Sequence, residues 1–204
     1  YGDGITMAMA IHPQTGQVYV AAGAVWSGGV NGVGGGVEIF DPETHTFSHY
    51  SRDLNLRVAS LAFAPDGSLW ATTWPDRRQV VRFTPQRRAE VMLTFQSDID
   101  SLAFGQSGTD LEGLLFVSQN AGANNFPGSE LTMVDLATLR RLAVADGGTR
   151  GDALITTRDG RILVSQSNQV DRINPATAPL VVATNPPSGS AVALPLSQIS
   201  VTFD

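Results

Sequence analysis

The sequence predicts an all-β protein: about four consecutive β-propeller blades, a ring of their own or an arc of a larger one, running into a C-terminal partial β segment. Three observations predict it. Twenty-one glycines and 11 prolines punctuate short runs rich in Val, Ile, Leu, Phe and Thr, the signature of many short strands joined by tight turns. One pattern, strand, turn, strand, loop, strand, recurs four times, and self-similarity at 20 to 50 residues identifies a repeat architecture. The texture then changes after Pro175.

The first copy runs Met9-Ala10-Ile11-His12-Pro13, a turn at Gly16, Val18-Tyr19-Val20-Ala21, then Val37-Glu38-Ile39-Phe40-Asp41-Pro42. The second is the clearest, Ser60-Leu61-Ala62-Phe63-Ala64-Pro65-Asp66-Gly67-Ser68-Leu69-Trp70-Ala71-Thr72 followed by Val80-Val81-Arg82-Phe83-Thr84-Pro85. The third joins Ser101-Leu102-Ala103-Phe104 to Leu114-Leu115-Phe116-Val117-Ser118 and Leu131-Thr132-Met133-Val134-Asp135. The fourth joins Ala153-Leu154-Ile155-Thr156 to Ile162-Leu163-Val164-Ser165 and Val170-Asp171-Arg172-Ile173. Aligning Phe40, Phe83, Val134 and Ile173 gives intervals of about 43, 51 and 39 residues, the span of one four-stranded blade. Asp66-Gly67 and Asp159-Gly160 are read as hairpin turns. Asp135 to Ala145 carries leucines at threefold spacing, which suits a helix, but its place in the repeat favours a turn and a strand.

These repeats occupy residues 1–177, approximately as 6–52, 58–96, 99–146 and 150–177. Residues 178–204 form a linker through Asn185-Pro186-Pro187-Ser188-Gly189 and then opening strands, where Ile199, Val201 and Phe203 alternate as if one face were buried. The opening at Tyr1, with no initiator Met or apolar leader, reads as a processed product or an excised segment.

Composition narrows function. Thirteen basic against 19 acidic residues give a net charge of −6, which offers no basic field for a nucleic acid. No apolar run approaches the ~20 residues that span a bilayer as a helix, so no membrane insertion is expected. The lack of cysteine removes disulfides, thiolate metal sites and cysteine nucleophiles.

Leu61 to Trp70 together with Arg82-Phe83 resembles the blade motif of NHL-type and streptogramin-lyase-like propellers, over roughly Thr6 to Pro175. The tail, Val182 to Gly189 and Val201-Thr202-Phe203-Asp204, is similar to the opening strands of bacterial Ig-like domains from large secreted and surface proteins. The second resemblance implies an extracellular or cell-surface setting. The first implies a fold that hosts binding, scaffolding and enzymatic functions alike.

Residues suited to chemistry are sparse. His45 and His49, four apart, would share one face of a strand, but no third ligand accompanies them, and His12 stands at a strand-turn junction. The lyase constellation finds no match, and no Gly-x-Ser-x-Gly elbow occurs. The glycines from Gly28 to Gly36 precede a strand, where no helix N-terminus faces a phosphate. Asp98, Asp100, Asp110 and Glu112 suit Ca²⁺ chemically but lack a calcium-loop pattern, and they read first as structural carboxylates; no other cofactor is expected. Arg150-Gly151-Asp152 spells an adhesive tripeptide that a turn and a strand start also explain. Two loops interrupt the repeat, one with Trp26 and one with Asn124, Asn125 and Phe126. These four residues and Trp74 are the candidates for contact with a protein or glycan, because insertions gather on the binding face of repeat proteins.

The expected function is a non-enzymatic recognition or scaffolding module. The alternatives are a lyase- or hydrolase-like enzyme with a metal in the central channel, and an assembly fragment completed by a second copy or a complementary chain.

Overall fold

The computed structural model describes residues 5–23, 36–51, 53, 56–74, 77–120, 129–174, 181–186, 190–191, 198 and 200–203. The chain divides into two compact units, Tyr1–Asn174 and Pro175–Asp204.

The first unit holds four antiparallel meanders, each with its strands in chain order across the sheet. Blade 1 is β1 (Ile5–Ile11), β2 (Val18–Gly23), β3 (Val37–Asp41) and β4 (Thr46–Ser51). Blade 2 is β5 (Val58–Phe63), β6 (Leu69–Thr73), β7 (Gln79–Phe83) and β8 (Ala89–Thr94). Blade 3 is β9 (Asp98–Phe104), β10 (Leu114–Asn120), β11 (Ser129–Asp135) and β12 (Arg141–Gly148). Blade 4 has three strands among the described residues, β13 (Leu154–Thr156), β14 (Ile162–Ser165) and β15 (Val170–Ile173). All four repeats read from the sequence are blades, and Phe40, Phe83, Val134 and Ile173 lie on the third strand of each. Arg141 to Gly148 is a strand, as its place in the repeat requires, in preference to the helix its leucine spacing allows.

Local chemistry fixes the turns. At Asp66-Gly67 the glycine takes φ 81° and its N–H donates to the Ala64 carbonyl. The Asp66 carboxylate accepts the Ser68 N–H and hydroxyl at 2.9 and 2.6 Å, and these bonds hold it below its ordinary value. Ser68 Oγ in turn accepts the Trp70 indole N–H at 2.9 Å, so the turn positions the largest side chain of blade 2. The turns from third to fourth strand share one device. Asp41 accepts the N–H groups of Glu43 and Thr44, and Asp135 those of Ala137 and Thr138. The chain then passes through a left-handed residue, His45 in blade 1, Arg87 in blade 2 and Leu139 in blade 3.

Burial follows the two-residue period of the strands. One core lies between blades 1 and 2 around Tyr19, Val37, Leu61 and Phe83. A second lies between blades 2 and 3 around Trp70, Phe104, Leu115 and Val134. A third lies between blades 3 and 4 around Phe116, Leu131, Leu154 and Ile162. Within each blade the first strand is innermost: β1 packs on β5, β5 on β9 and β9 on β13.

In the second unit β16 (Val181–Asn185) pairs antiparallel with β17 (Ser200–Phe203). Val201, which the alternation assigns to a buried face, is exposed. Among the described residues this unit holds one two-stranded ladder and no second sheet to cover its face.

Candidate functional site

The meander topology gives the propeller two unlike rims. The ends of the inner strands, with the turns that follow them, surround one groove of about 750 Å³ at the axis. Its wall is about equally polar and apolar in exposed surface, and the side chains lining it include Met9, Ile11, Phe63, Phe104, Ile155, Gln106 and Arg158. At the opposite rim the inner strands begin and the second strands end. Buried polar side chains gather there: Thr72, Thr73, Ser101, Ser118, Gln119 and Ser129.

On that polar rim the inner strands carry a repeated irregularity. The β5–β6 register shifts between Val58 and Ser60, and the β9–β10 register shifts where Ser118 faces Ser101 but Gln119 faces Ile99. In blade 3 the residue without a partner across the ladder is Asp100. A bulge of this kind re-aims a side chain that a regular strand would commit to one face. The bulged backbone is also used between blades, since the Thr72 hydroxyl donates to the Asp100 carbonyl at 3.1 Å. Ser101 makes the matching clip to the next blade, donating to the Gly151 carbonyl at 2.6 Å.

Two carboxylates on this rim therefore act on each other through their charges. Aligned on Leu102 and Leu154, Asp100 and Asp152 occupy the same position of the repeat. Burial pushes the Asp100 carboxyl above its ordinary value, Asp152 and Asp98 add to the effect, and a hydrogen bond from Asn120 and the Arg150 charge oppose it. Asp98 is held by Arg78 at 2.7 Å and Asp152 by Arg150 at 2.6 Å. Asp100 Oδ2 is buried with no hydrogen-bond partner among the described residues. A buried acceptor of this kind costs about 1–3 kcal/mol while it stays unpaired.

Several sequence expectations resolve against this geometry. His45 and His49 do not share a strand face, because His45 lies in the left-handed turn before β4. His49 Nδ1 instead sits 3.8 Å from Glu38 Oε1. His12 is a turn residue whose Nδ1 accepts the N–H groups of Gln14 and Thr15 and whose ring packs on Phe63. Of the proposed calcium carboxylates, Asp98 is engaged by Arg78, and Glu112 accepts the Gly108 N–H at 2.8 Å. Among the described residues no three His, Cys, Asp or Glu side chains gather as a metal site. In Arg150-Gly151-Asp152 the two charges bind each other and the glycine is buried: a Cβ there would lie 1.6 Å from Ser118 Oγ. Trp74, half-buried, follows β6 on the polar rim, and its backbone N–H donates to the Arg57 carbonyl. Trp26, Asn124, Asn125 and Phe126 lie outside the described residues. Sequence reading missed the electrostatic coupling of Asp100 to Asp152. Its only trace is their shared place two residues before Leu102 and Leu154.

No family model matches this chain, and no curated protein matches it. Solved structures do. The chain is similar to one in a nidogen/laminin complex, with a TM-score of 0.58 and 10% identity over 86% of this chain and 67% of that one. It is similar to YCF48 bound to a D1 peptide, with a TM-score of 0.60 and 12% identity over 86% of this chain and 53% of that one. A chain of the mitotic checkpoint complex gives 0.54 and 13%, over 84% and 48%. The fold is a β-propeller. The chain spans about half of the last two structures and two thirds of the first, so its four blades match arcs of longer chains.

Proposed function

We propose that this propeller is a non-enzymatic module for recognising a protein partner, with Asp100 as an anchor on its polar rim. The observation that carries the reading is the buried Asp100 Oδ2, unpaired among the described residues at a β-bulge. Its neighbours Asp98 and Asp152 already hold their own arginines. A lysine or arginine of a partner would satisfy the free oxygen and neutralise the carboxylate, and hydrogen bonds to charged groups are the stronger class. The three similar structures come from complexes or a peptide-bound state, which supports protein binding in general. The Ig-like resemblance of the tail supports work outside the cell or at its surface, with residues 178–204 opening an Ig-like module.

A peptide array tests the reading. Basic peptides are expected to bind the purified chain at least tenfold better than acidic peptides of equal length. Asp100→Asn is expected to abolish that preference while leaving the β-sheet circular dichroism unchanged. Equal binding of both peptide sets, or binding to a glycan array alone, would overturn it.

A further inference from the structure

Asp100 has one oxygen left to offer. Its carboxylate takes a hydrogen bond from the Asn120 side chain, and Oδ2 is buried with no partner among the described residues, so the amide sits on Oδ1. The two neighbouring carboxylates are placed differently. Asp98 and Asp152 both reach solvent, and each meets a guanidinium of this chain, Arg78 Nε at 2.7 Å and Arg150 Nε at 2.6 Å. Three carboxylates therefore share two arginines, and the uncompensated charge falls on the one whose open acceptor lies below the surface.

The bulge keeps it there. Asp100 has no partner across the β9–β10 ladder, and its carbonyl accepts the Thr72 hydroxyl of blade 2 at 3.1 Å. The next residue, Ser101, donates to the Gly151 carbonyl at the entry to blade 4 at 2.6 Å. Tied to a neighbouring blade on either side, this backbone holds the carboxylate against swinging outward to present both oxygens.

We infer that the partner group seated on Asp100 is the ammonium of a lysine and not a guanidinium, an inference that rests on the reading of Asp100 as the anchor for a basic partner. A guanidinium is the more weakly hydrated cation, and it owes its usual lead at interfaces to a planar fork that meets both oxygens of a carboxylate. Here the second arm of the fork would meet the Asn120 amide, a donor facing a donor. An ammonium is compact, needs one acceptor, and can turn its other N–H bonds toward water or nearby oxygens. It also stands on a slender aliphatic stem that can pass below the surface. A chain N-terminus carries the same ammonium on the backbone itself and lacks that reach.

Fluorescence anisotropy on the whole chain decides it. The basic peptides that bind best on the array are remade with acetylated N-termini: as found, with every lysine changed to arginine, and with every lysine side chain acetylated. Both altered forms are expected to bind about tenfold more weakly or worse, the effect of losing one hydrogen bond to a charged group. Asn120→Ala opens Oδ1, and in that variant the arginine peptides are expected to gain on the lysine peptides, with the β-sheet circular dichroism unchanged. The comparison on the wild type does not depend on that variant. Arginine peptides that bind the wild type as well as lysine peptides overturn the inference, while the preference for basic over acidic peptides, and with it the anchor, stands. Binding that survives lysine acetylation overturns it too, as does binding lost on N-terminal acetylation, which would make a chain N-terminus the donor. A lysine preference that a folded Asn120→Ala leaves unchanged overturns the role given to the blocked oxygen. If basic peptides hold no advantage on the array, the anchor reading itself falls and takes the inference with it.

Discussion

The junction between blades 2 and 3 and the junction between blades 3 and 4 solve one packing problem with different means. Between blades 2 and 3 the Trp70 ring meets Phe104 edge-on at 5.5 Å, above a floor of fully buried Ile99, Leu115, Val117 and Val134. Arg141 extends the contact outward, over the Phe95 ring at 4.6 Å and onto the Thr94 carbonyl at 2.6 Å. Between blades 3 and 4 the buried apolar cluster has fewer members, around Phe116, Leu131, Leu154 and Ile162, and polar clips stand beside it. Ser101 donates to the Gly151 carbonyl, Thr156 to the Phe104 carbonyl, and Gln106 to the Thr156 hydroxyl at 3.1 Å. Apolar area sets strength and is indifferent to small slides, whereas hydrogen bonds fix position and add only about 1 kcal/mol each. The first junction therefore buries the larger apolar cluster, and both are pinned in register by polar clips, Thr72 to the Asp100 carbonyl and Arg78 to Asp98 in the first.

Three substitutions can break or sharpen this contrast. The largest effect is expected at the aromatic junction: Trp70→Ala removes the ring pair and the indole bond to Ser68, and should cost about 3–5 kcal/mol in urea unfolding. A loss below 1 kcal/mol would refute its place as the main junction. Next comes Gly151→Ala, whose Cβ would lie 1.6 Å from Ser118 Oγ and 2.8 Å from Ser118 Cβ. It should cost about 1–3 kcal/mol, and adding Ser118→Gly should recover most of it, because contacting sites couple. If the double variant is no more stable than Gly151→Ala alone, the close fit is not what holds blade 4.

The smallest effect concerns Asp100. Burial holds its carboxyl above the ordinary value of about 3.8, so the folded chain binds that proton more tightly than the unfolded chain. Its contribution to stability is then greatest below the ordinary value and declines as pH rises through the raised one. The wild type should lose stability over that window relative to Asp100→Asn, as read by thermal unfolding at stepped pH. Parallel curves for the two proteins would remove Asp100 as a buried titrating group.

Much of the architecture could be read directly, because the repeat places equivalent residues at equivalent depths. Leu61 and Leu102 look alike in the sequence because each meets the blade before it. Bulges leave no such trace. The period-two pattern reports which side chains are apolar, and at Asp98-Ile99-Asp100 the polar rim makes a regular strand and a bulged one read alike. His45 misled for a related reason: a four-residue spacing fits a strand face only if the strand includes both ends, and the Asp41 turn delays β4 to Thr46.

The meander order within each blade also bears on how the chain is made. Every strand pairs with its neighbour in sequence, so a blade can form from about forty consecutive residues as they leave the ribosome. Each completed blade waits with one apolar face bare until the next arrives, as Tyr19 and Ile39 wait for Leu61 and Phe83. Each blade added during synthesis then leaves one new apolar face waiting, whatever the length of the chain.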